Sequence, residues 1–117
     1  MLTFNHKKMQ VWKLCLEFAK VLRKACTSFP RFETNQLSRE CNRSMISVLS
    51  NISEGASRPT VKDRRRFYVI ARSSLVELDT QLELAKVYGY LSTEIEMEIK
   101  SQLKIFVMLS GLIKSTK

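Results

Sequence analysis

Glycine, proline and histidine are scarce in this chain, and long apolar runs are missing. Three Gly and two Pro in 117 residues leave too little turn-forming material for a many-stranded β fold, and favour a few long helices joined by short connections. The glycines, at positions 55, 89 and 111, stand too far apart to make a GxGxxG or P-loop phosphate cradle. His6 is the single histidine and lies near the start of the chain, so a Ser-His-Asp set has nothing to form around. Cys15, Cys26 and Cys41 make no CxxC pair and, with one His, give no metal-ligand spacing. They read as small, buried, reduced thiols. No metal and no cofactor is expected, and no enzyme activity. No stretch approaches the ~20 apolar residues needed to cross a bilayer. The opening MLTFNHKKMQ lacks the apolar segment of a secretory signal, so the expected location is the cytoplasm, with no membrane partner.

What is present suits one folded domain over residues 1–117. Hydrophobic residues make up 44% and charged residues 26%, too apolar for disorder. The net charge is +9, unevenly spread. Residues 1–75 hold fifteen Lys and Arg against five Asp and Glu, a net +10, whereas residues 76–117 hold five against six, a net −1. A polyanion such as nucleic acid is one partner such a field attracts. Solubility, with charge pairing to another subunit, is the plainer alternative.

Helical periodicity marks four segments. The first is expected from about Asn5 to Thr27, with Val11, Leu14, Cys15, Phe18, Val21, Leu22 and Ala25 on one stripe, and Ser28-Phe29-Pro30 ending it. The second is expected from about Asn35 to Ala56, capped by Thr34 or Asn35, with Leu37, Cys41, Met45, Val48 and Ile52 inward. Gly55 would take the left-handed cap there and Pro59 would forbid continuation. Its many Ser and Asn residues are mediocre helix formers, but small enough to admit a close neighbour.

The third helix should open on the Thr60/Asp63 capping box, bury Phe67, Ile70, Ala71, Ser74, Leu75, Leu78, Leu82 and Ala85, and close at Gly89. Its arginines crowd its first turns and its acids its second half, against the preference of the helix dipole. That conflict points to a role for the arginines outside their own helix, at a partner or another subunit. The fourth helix should run unbroken from Ser92 or Thr93 to about Lys114, with a Thr93/Glu96 capping box and Ile95, Ile99, Leu103, Phe106, Ser110 and Ile113 inward. Short connections make the expected architecture all-α, an antiparallel up-down-up-down four-helix bundle. The first and fourth helices carry more apolar surface than one bundle needs, which reads as self-association into a homo-oligomer.

The candidate binding site is the basic corner between the second and third helices: Arg58, Lys62, Arg64, Arg65, Arg66 and Arg72. Arg suits phosphate because its planar fork donates two hydrogen bonds, and such contacts would be indifferent to sequence and sensitive to salt. Arg39 and Arg43 on the second helix extend the candidate patch, as do Lys7, Lys8 and Lys13 on the first. A solvated helix end, or ion pairs to a neighbouring subunit, is the competing reading. Asn51 and Glu54 are read as a structural polar corner, with Glu54 buried against Arg58 or Arg72. Trp12, Tyr68, Tyr88 and Tyr90 are candidate base-stacking aromatics, whereas Phe67 falls on the core stripe.

The placed motifs resemble a known family. Phe4 and Val11-Trp12, Phe29-Pro30, Asn51-Ile52-Ser53-Glu54-Gly55 with Arg58, the run RFYVIARSSLVELDTQL, Ala85-Lys86 and Gly89-Tyr90-Leu91 resemble the four-helix-bundle proteins encoded by intervening sequences in bacterial 23S rRNA genes. The likeness covers nearly the whole chain. One departure is Leu49, which stands where the family often has Pro and puts a kink of the second helix in doubt. The resemblance implies a homo-oligomer, a pentameric ring, with no established catalytic activity. The family is also similar to the accessory proteins of diversity-generating retroelements, which work beside a reverse transcriptase. Two functions follow as expectations: a non-enzymatic oligomer binding RNA or DNA phosphates through basic residues, or a scaffold recruiting a protein such as a reverse transcriptase or a ribosome-associated protein.

Overall fold

A computed structural model describes all 117 residues, and every regular element is helical. A single 3-10 turn over Asn5–Lys8 precedes α1 (Gln10–Cys26), and another over Arg31–Glu33 precedes α2 (Leu37–Ser57). Then come α3 (Val61–Val87), α4 (Thr93–Ile99) and α5 (Gln102–Ser115). Together α4 and α5 occupy the place of the fourth helix, so the fold is that of a four-helix bundle.

The core is one cluster of 20 buried residues. Cys15, Phe18 and Leu22 come from α1, Cys41, Val48 and Ile52 from α2, Ala71, Leu78 and Ala85 from α3, and Ile105 and Leu109 from α5. Each large side chain removed from water contributes roughly 1.5–3 kcal/mol relative to an exposed one. The expected inward residues of α2 are all buried, and α2 runs unbroken past Leu49.

Gly55 does a different job from the one expected. It is helical, inside α2, and only Gly89 has a positive φ, at 78°. A Cβ on Gly55 would lie 2.6 Å from Cε1 and 2.8 Å from Cδ1 of Tyr68. The missing side chain is therefore where the Tyr68 ring packs, and Tyr68 rather than Phe67 is the buried aromatic of α3. Phe67 is only half-buried and Ile70 is exposed. The inward stripe of α3 is rotated by one residue at its start, because the space beside Gly55 accepts a ring from position 68. A polar seam continues the α2–α3 contact: Ser47 and Ser74 share a 2.7 Å hydrogen bond, and Ser44 donates to Gln81 Oε1 at 3.0 Å.

The ends of α3 follow local rules. Thr60 Oγ1 accepts the Asp63 N–H at 3.2 Å. At the other end Gly89 N–H donates to Lys86 O and Tyr90 N–H to Ala85 O, the paired bonds of a Schellman cap. For α2 no side chain of Thr34 or Asn35 caps the start; Gln36 is the N-cap residue, and the buried Glu33 carboxylate accepts the Leu37 N–H at 3.4 Å. At α4 the cap is Ser92, whose Oγ accepts the Ile95 N–H, in place of the Thr93/Glu96 box.

The fourth helix is broken. Ser101 N–H donates to Glu98 O, Leu103 N–H to Lys100 O and Lys104 N–H to Ser101 O, all i→i−3 bonds. A 3-10 stretch turns about 20° further per residue than an α-helix. The inward face beyond the break is accordingly Ile105 and Leu109, whereas Leu103 and Phe106, expected inside, face outward.

Candidate nucleic-acid interface

The corner between α2 and α3 forms as the sequence suggests, with Arg58-Pro59-Thr60 linking the helices. Its six cations separate into two groups. Three of them turn toward the chain itself. Arg64 donates from Nη1 to the Arg58 and Pro59 carbonyls, at 3.2 and 3.0 Å, and from Nη2 to Lys117 O at 3.2 Å. Arg65 donates to Ile113 O at 3.4 Å and to Thr116 O. Arg72, half-buried, donates to Ser110 Oγ at 3.2 Å, and its guanidinium lies 6.0 Å from the Phe106 ring centre.

These bonds explain the inverted charge of α3. The start of α3 lies beside the end of α5, whose last carbonyls lack helical partners and carry the negative end of a dipole. Arg64 and Arg65 are misplaced for their own helix and well placed for its neighbour.

The other three stay at the surface. Arg58 pairs with Glu54 at 2.9 Å, and Arg58 and Arg66 both lie over the Phe67 ring, at 4.8 and 4.9 Å. The ring contacts hold the guanidinium planes without neutralising them, while Glu54 offsets the charge of Arg58. Lys62, Arg65 and Arg66 rim a shallow depression floored by Val61, Val69 and Ile70. The patch does not extend along α2 as expected. Arg43 and Arg39 stand fifteen and nineteen residues before Arg58, or about 22 and 28 Å at 1.5 Å per residue. That exceeds the ~8 Å screening length at physiological salt, so they form a separate basic site. Arg43 has a loose 3.8 Å partner in Glu40, and no ion pair involves Arg39.

Asn51 and Glu54 do not form one buried corner. Glu54 is exposed in its pair with Arg58, while Asn51 donates to Ser47 O at 2.8 Å and joins the α2–α3 polar seam. The buried carboxylate of this protein is Glu33, which sequence reasoning missed. Glu33 accepts the Tyr90 hydroxyl at 2.8 Å, tying the segment before α2 to the turn after α3. Burial, then this bond, raises the Tyr90 hydroxyl to about 12. The one advance signal was that both residues flank helix ends.

Among the candidate stacking aromatics, Trp12 is half-buried against the core and His6. Tyr90 is occupied by Glu33 and Phe29, Tyr68 is buried, and Tyr88 is exposed. All three cysteines are free: burial pushes Cys15 up to about 12, and a hydrogen bond with Cys41 lowers Cys26. No three His, Cys, Asp or Glu side chains converge as metal ligands. No helix is long and apolar enough to cross a membrane.

The profile of the 23S rRNA-intervening sequence protein family matches residues 7–111. The chain belongs to that family. Among solved structures, one of a protein of unknown function from the S23 ribosomal protein family of Bacteroides thetaiotaomicron superposes with a TM-score of 0.79. That alignment covers 90% of this chain and 96% of the other at 24% identity, a likeness that speaks for the fold. No curated protein matches the chain. The NISEG motif lies within the matched residues. In this chain the motif places Gly55 under Tyr68 and Glu54 beside Arg58.

Proposed function

We propose that this member of the family is a non-catalytic homo-oligomer of up-down-up-down bundles that binds RNA or DNA phosphates through its surface cations. The carrying observation is the net +10 of residues 1–75, of which Arg39, Arg43, Arg58, Lys62 and Arg66 remain at the surface. Phosphate contacts from such exposed side chains position a nucleic acid without reading its sequence. The order of contacts supports antiparallel neighbours: along α2 and α3, Ser44 meets Gln81 and Ser47 meets Ser74. Arg72 meets Ser110 and Arg65 meets Ile113, again rising on one helix as it falls on the next. Self-association is supported by apolar side chains left outside, Leu103 and Val107 among them.

A second reading, a scaffold that recruits a protein, draws on the same apolar surface. Fluorescence anisotropy with structured ribosomal RNA and with duplex DNA, at low and high salt, separates the two. The informative variants are Arg39→Ala with Arg43→Ala, and Arg58→Ala with Lys62→Ala and Arg66→Ala. Arg64 and Arg65 are spared because they hold the end of α5. Phosphate binding predicts affinity that falls steeply with salt, with a slope reduced by about 0.7–0.9 for each contacting cation removed. No binding at low salt by a folded oligomer overturns the phosphate reading and leaves the scaffold.

A further inference from the structure

The three thiols of this chain are not equivalent. Cys15 and Cys41 are fully buried, whereas Cys26 is half-buried. Cys26 is the last residue of α1 and Cys41 lies in the second turn of α2. The packing of α1 on α2 brings the two side chains into hydrogen-bonding contact. Cys41 belongs to the core cluster, and Cys26 packs against that cluster from its edge. Cys15 stands eleven residues before Cys26 on the same helix, about 16.5 Å away, beyond the ~7 Å between Cα atoms that a disulfide tolerates. One pair of sulfurs is therefore placed to join, and the third is set apart from it.

The surroundings give the two sulfurs of the pair different characters. Cys26 Sγ accepts hydrogen bonds from the Cys41 thiol and from the Ser38 hydroxyl, and the Arg23 guanidinium, one turn back on α1, adds positive charge. Arg23 is in no ion pair, so its charge is not offset. The bond from Cys41 outweighs the opposing effect of burial and holds Cys26 below the usual thiol value. Cys41 is held the other way: its proton is engaged by Cys26, and burial and the nearby Glu40 carboxylate also disfavour negative charge there. A more exposed cysteine that gives up its proton, beside a buried one that keeps it, is the arrangement of an attacking and a resolving thiol.

We propose that Cys26 and Cys41 form a reversible disulfide on exposure to hydrogen peroxide, with Cys26 attacking and Cys41 resolving. The Cys26 sulfur attacks one peroxide oxygen, the O–O bond breaks, and hydroxide leaves, taking a proton from solvent to become water. Cys26 is then a sulfenic acid, and the peroxide has taken up two electrons. The Cys41 sulfur next attacks the Cys26 sulfur, the S–O bond breaks, and the Cys41 proton departs with the hydroxyl as a second water. One peroxide has become two waters, and two thiols one disulfide. The bond closes a loop over residues 26–41. That loop holds Ser28, Phe29 and Glu33, all of which contact Tyr90. In a reducing compartment such a bond is transient and reports oxidation rather than building structure.

The full chain, reduced and then treated with hydrogen peroxide, tests this by alkylation under denaturing conditions followed by mass spectrometry. The expected product has one thiol left to alkylate, Cys15, and a cross-linked peptide joining Cys26 to Cys41, both reversed by dithiothreitol. Cys41→Ala, shown to be folded by circular dichroism, should accumulate a sulfenic acid at Cys26 that dimedone traps. Cys26→Ser should react with peroxide at least tenfold more slowly, and Cys15→Ala should oxidise as wild type does. Three alkylatable thiols in the treated wild-type chain overturn the proposal, a result that needs no variant to fold. A cross-link that joins two chains, or one that includes Cys15, overturns the pairing. Dimedone captured at Cys41 in the folded Cys26→Ser variant, at the wild-type rate, overturns the order of attack.

Discussion

The α2–α3 hairpin and the α4–α5 segment line the same core, yet they are specified differently. In the hairpin, small residues allow close approach and polar side chains register it: Gly55 receives Tyr68, Ser47 meets Ser74, and Ser44 meets Gln81. Each of these contacts has a shape or a direction, so a shift in register breaks it. The α4–α5 segment is apolar on several sides, and its inward face changes across the i→i−3 bonds near Ser101. Its rotation is settled by what the rest of the bundle offers: core volume for Ile105 and Leu109, and arginines from α3 for its last carbonyls. Amphipathicity alone specifies a face when one stripe is apolar, and fails when most of the circumference is.

The contrast breaks most sharply at the two helical glycines. Gly55→Val should destabilise the protein by about 3 kcal/mol in urea unfolding, because the added atoms overlap the Tyr68 ring and the Arg64 backbone carbonyl lies 3.1 Å from the new Cβ. Gly111, in α5, has open space where a Cβ would stand, with no atom within 4 Å, so Gly111→Ala should raise stability by about 0.5–1 kcal/mol through helix propensity. Equal signs for the two substitutions would mean that the hairpin is no more tightly packed than the rim.

The next effect lies at the bond joining the two regions. Tyr90→Phe removes the hydroxyl that Glu33 accepts and leaves a buried carboxylate oxygen short of a donor. Its loss of stability should fall between that of Gly55→Val and that of Arg65→Ala. Its pH dependence has a definite sign. The Tyr90 hydroxyl titrates at about 12 in the folded chain. In the unfolded chain a tyrosine titrates at about 10. The folded state therefore holds the proton more tightly. The resulting stability is complete below pH 10 and is lost as pH rises towards 12. Thermal melts of wild type and Tyr90→Phe should converge over that window, and parallel curves would detach Tyr90 from the alkaline transition.

Arg65→Ala should cost about 1 kcal/mol, the usual worth of a cation at a helix C-terminus. Hydrogen exchange should quicken in the last turn of α5 while α3 itself is unchanged. Faster exchange at the start of α3 instead would make Arg65 a contact of its own helix. The smallest effect belongs to Leu103→Ser, within about 0.5 kcal/mol in the monomer, as for other exposed positions. A cost of several kcal/mol there would return Leu103 to the inward stripe and remove the break in the fourth helix.

The candidate site was legible in composition and only partly in role. The cluster of Arg58, Lys62, Arg64, Arg65 and Arg66 could be read directly, as could its conflict with the dipole of α3. The partner resolving that conflict could not be read, because Thr116 and Lys117 are some fifty residues away and meet the arginines only after folding. Glu33 was passed over for a related reason. Its partner Tyr90 lies 57 residues further on, and neither residue carries a local pattern that predicts burial.

Local chemistry by itself determined that the chain is helical, the stripes of α1 and α2, the Thr60 cap and the Gly89 stop. Each depends on residues within one or two turns, and hydrogen-bond geometry reaches no further. Tertiary structure decided which aromatic of α3 is buried, where the fourth helix breaks, and which arginines are spent inside the protein. Those outcomes depend on volumes and unpaired carbonyls supplied by distant segments, and no spacing along the chain encodes which segments will meet.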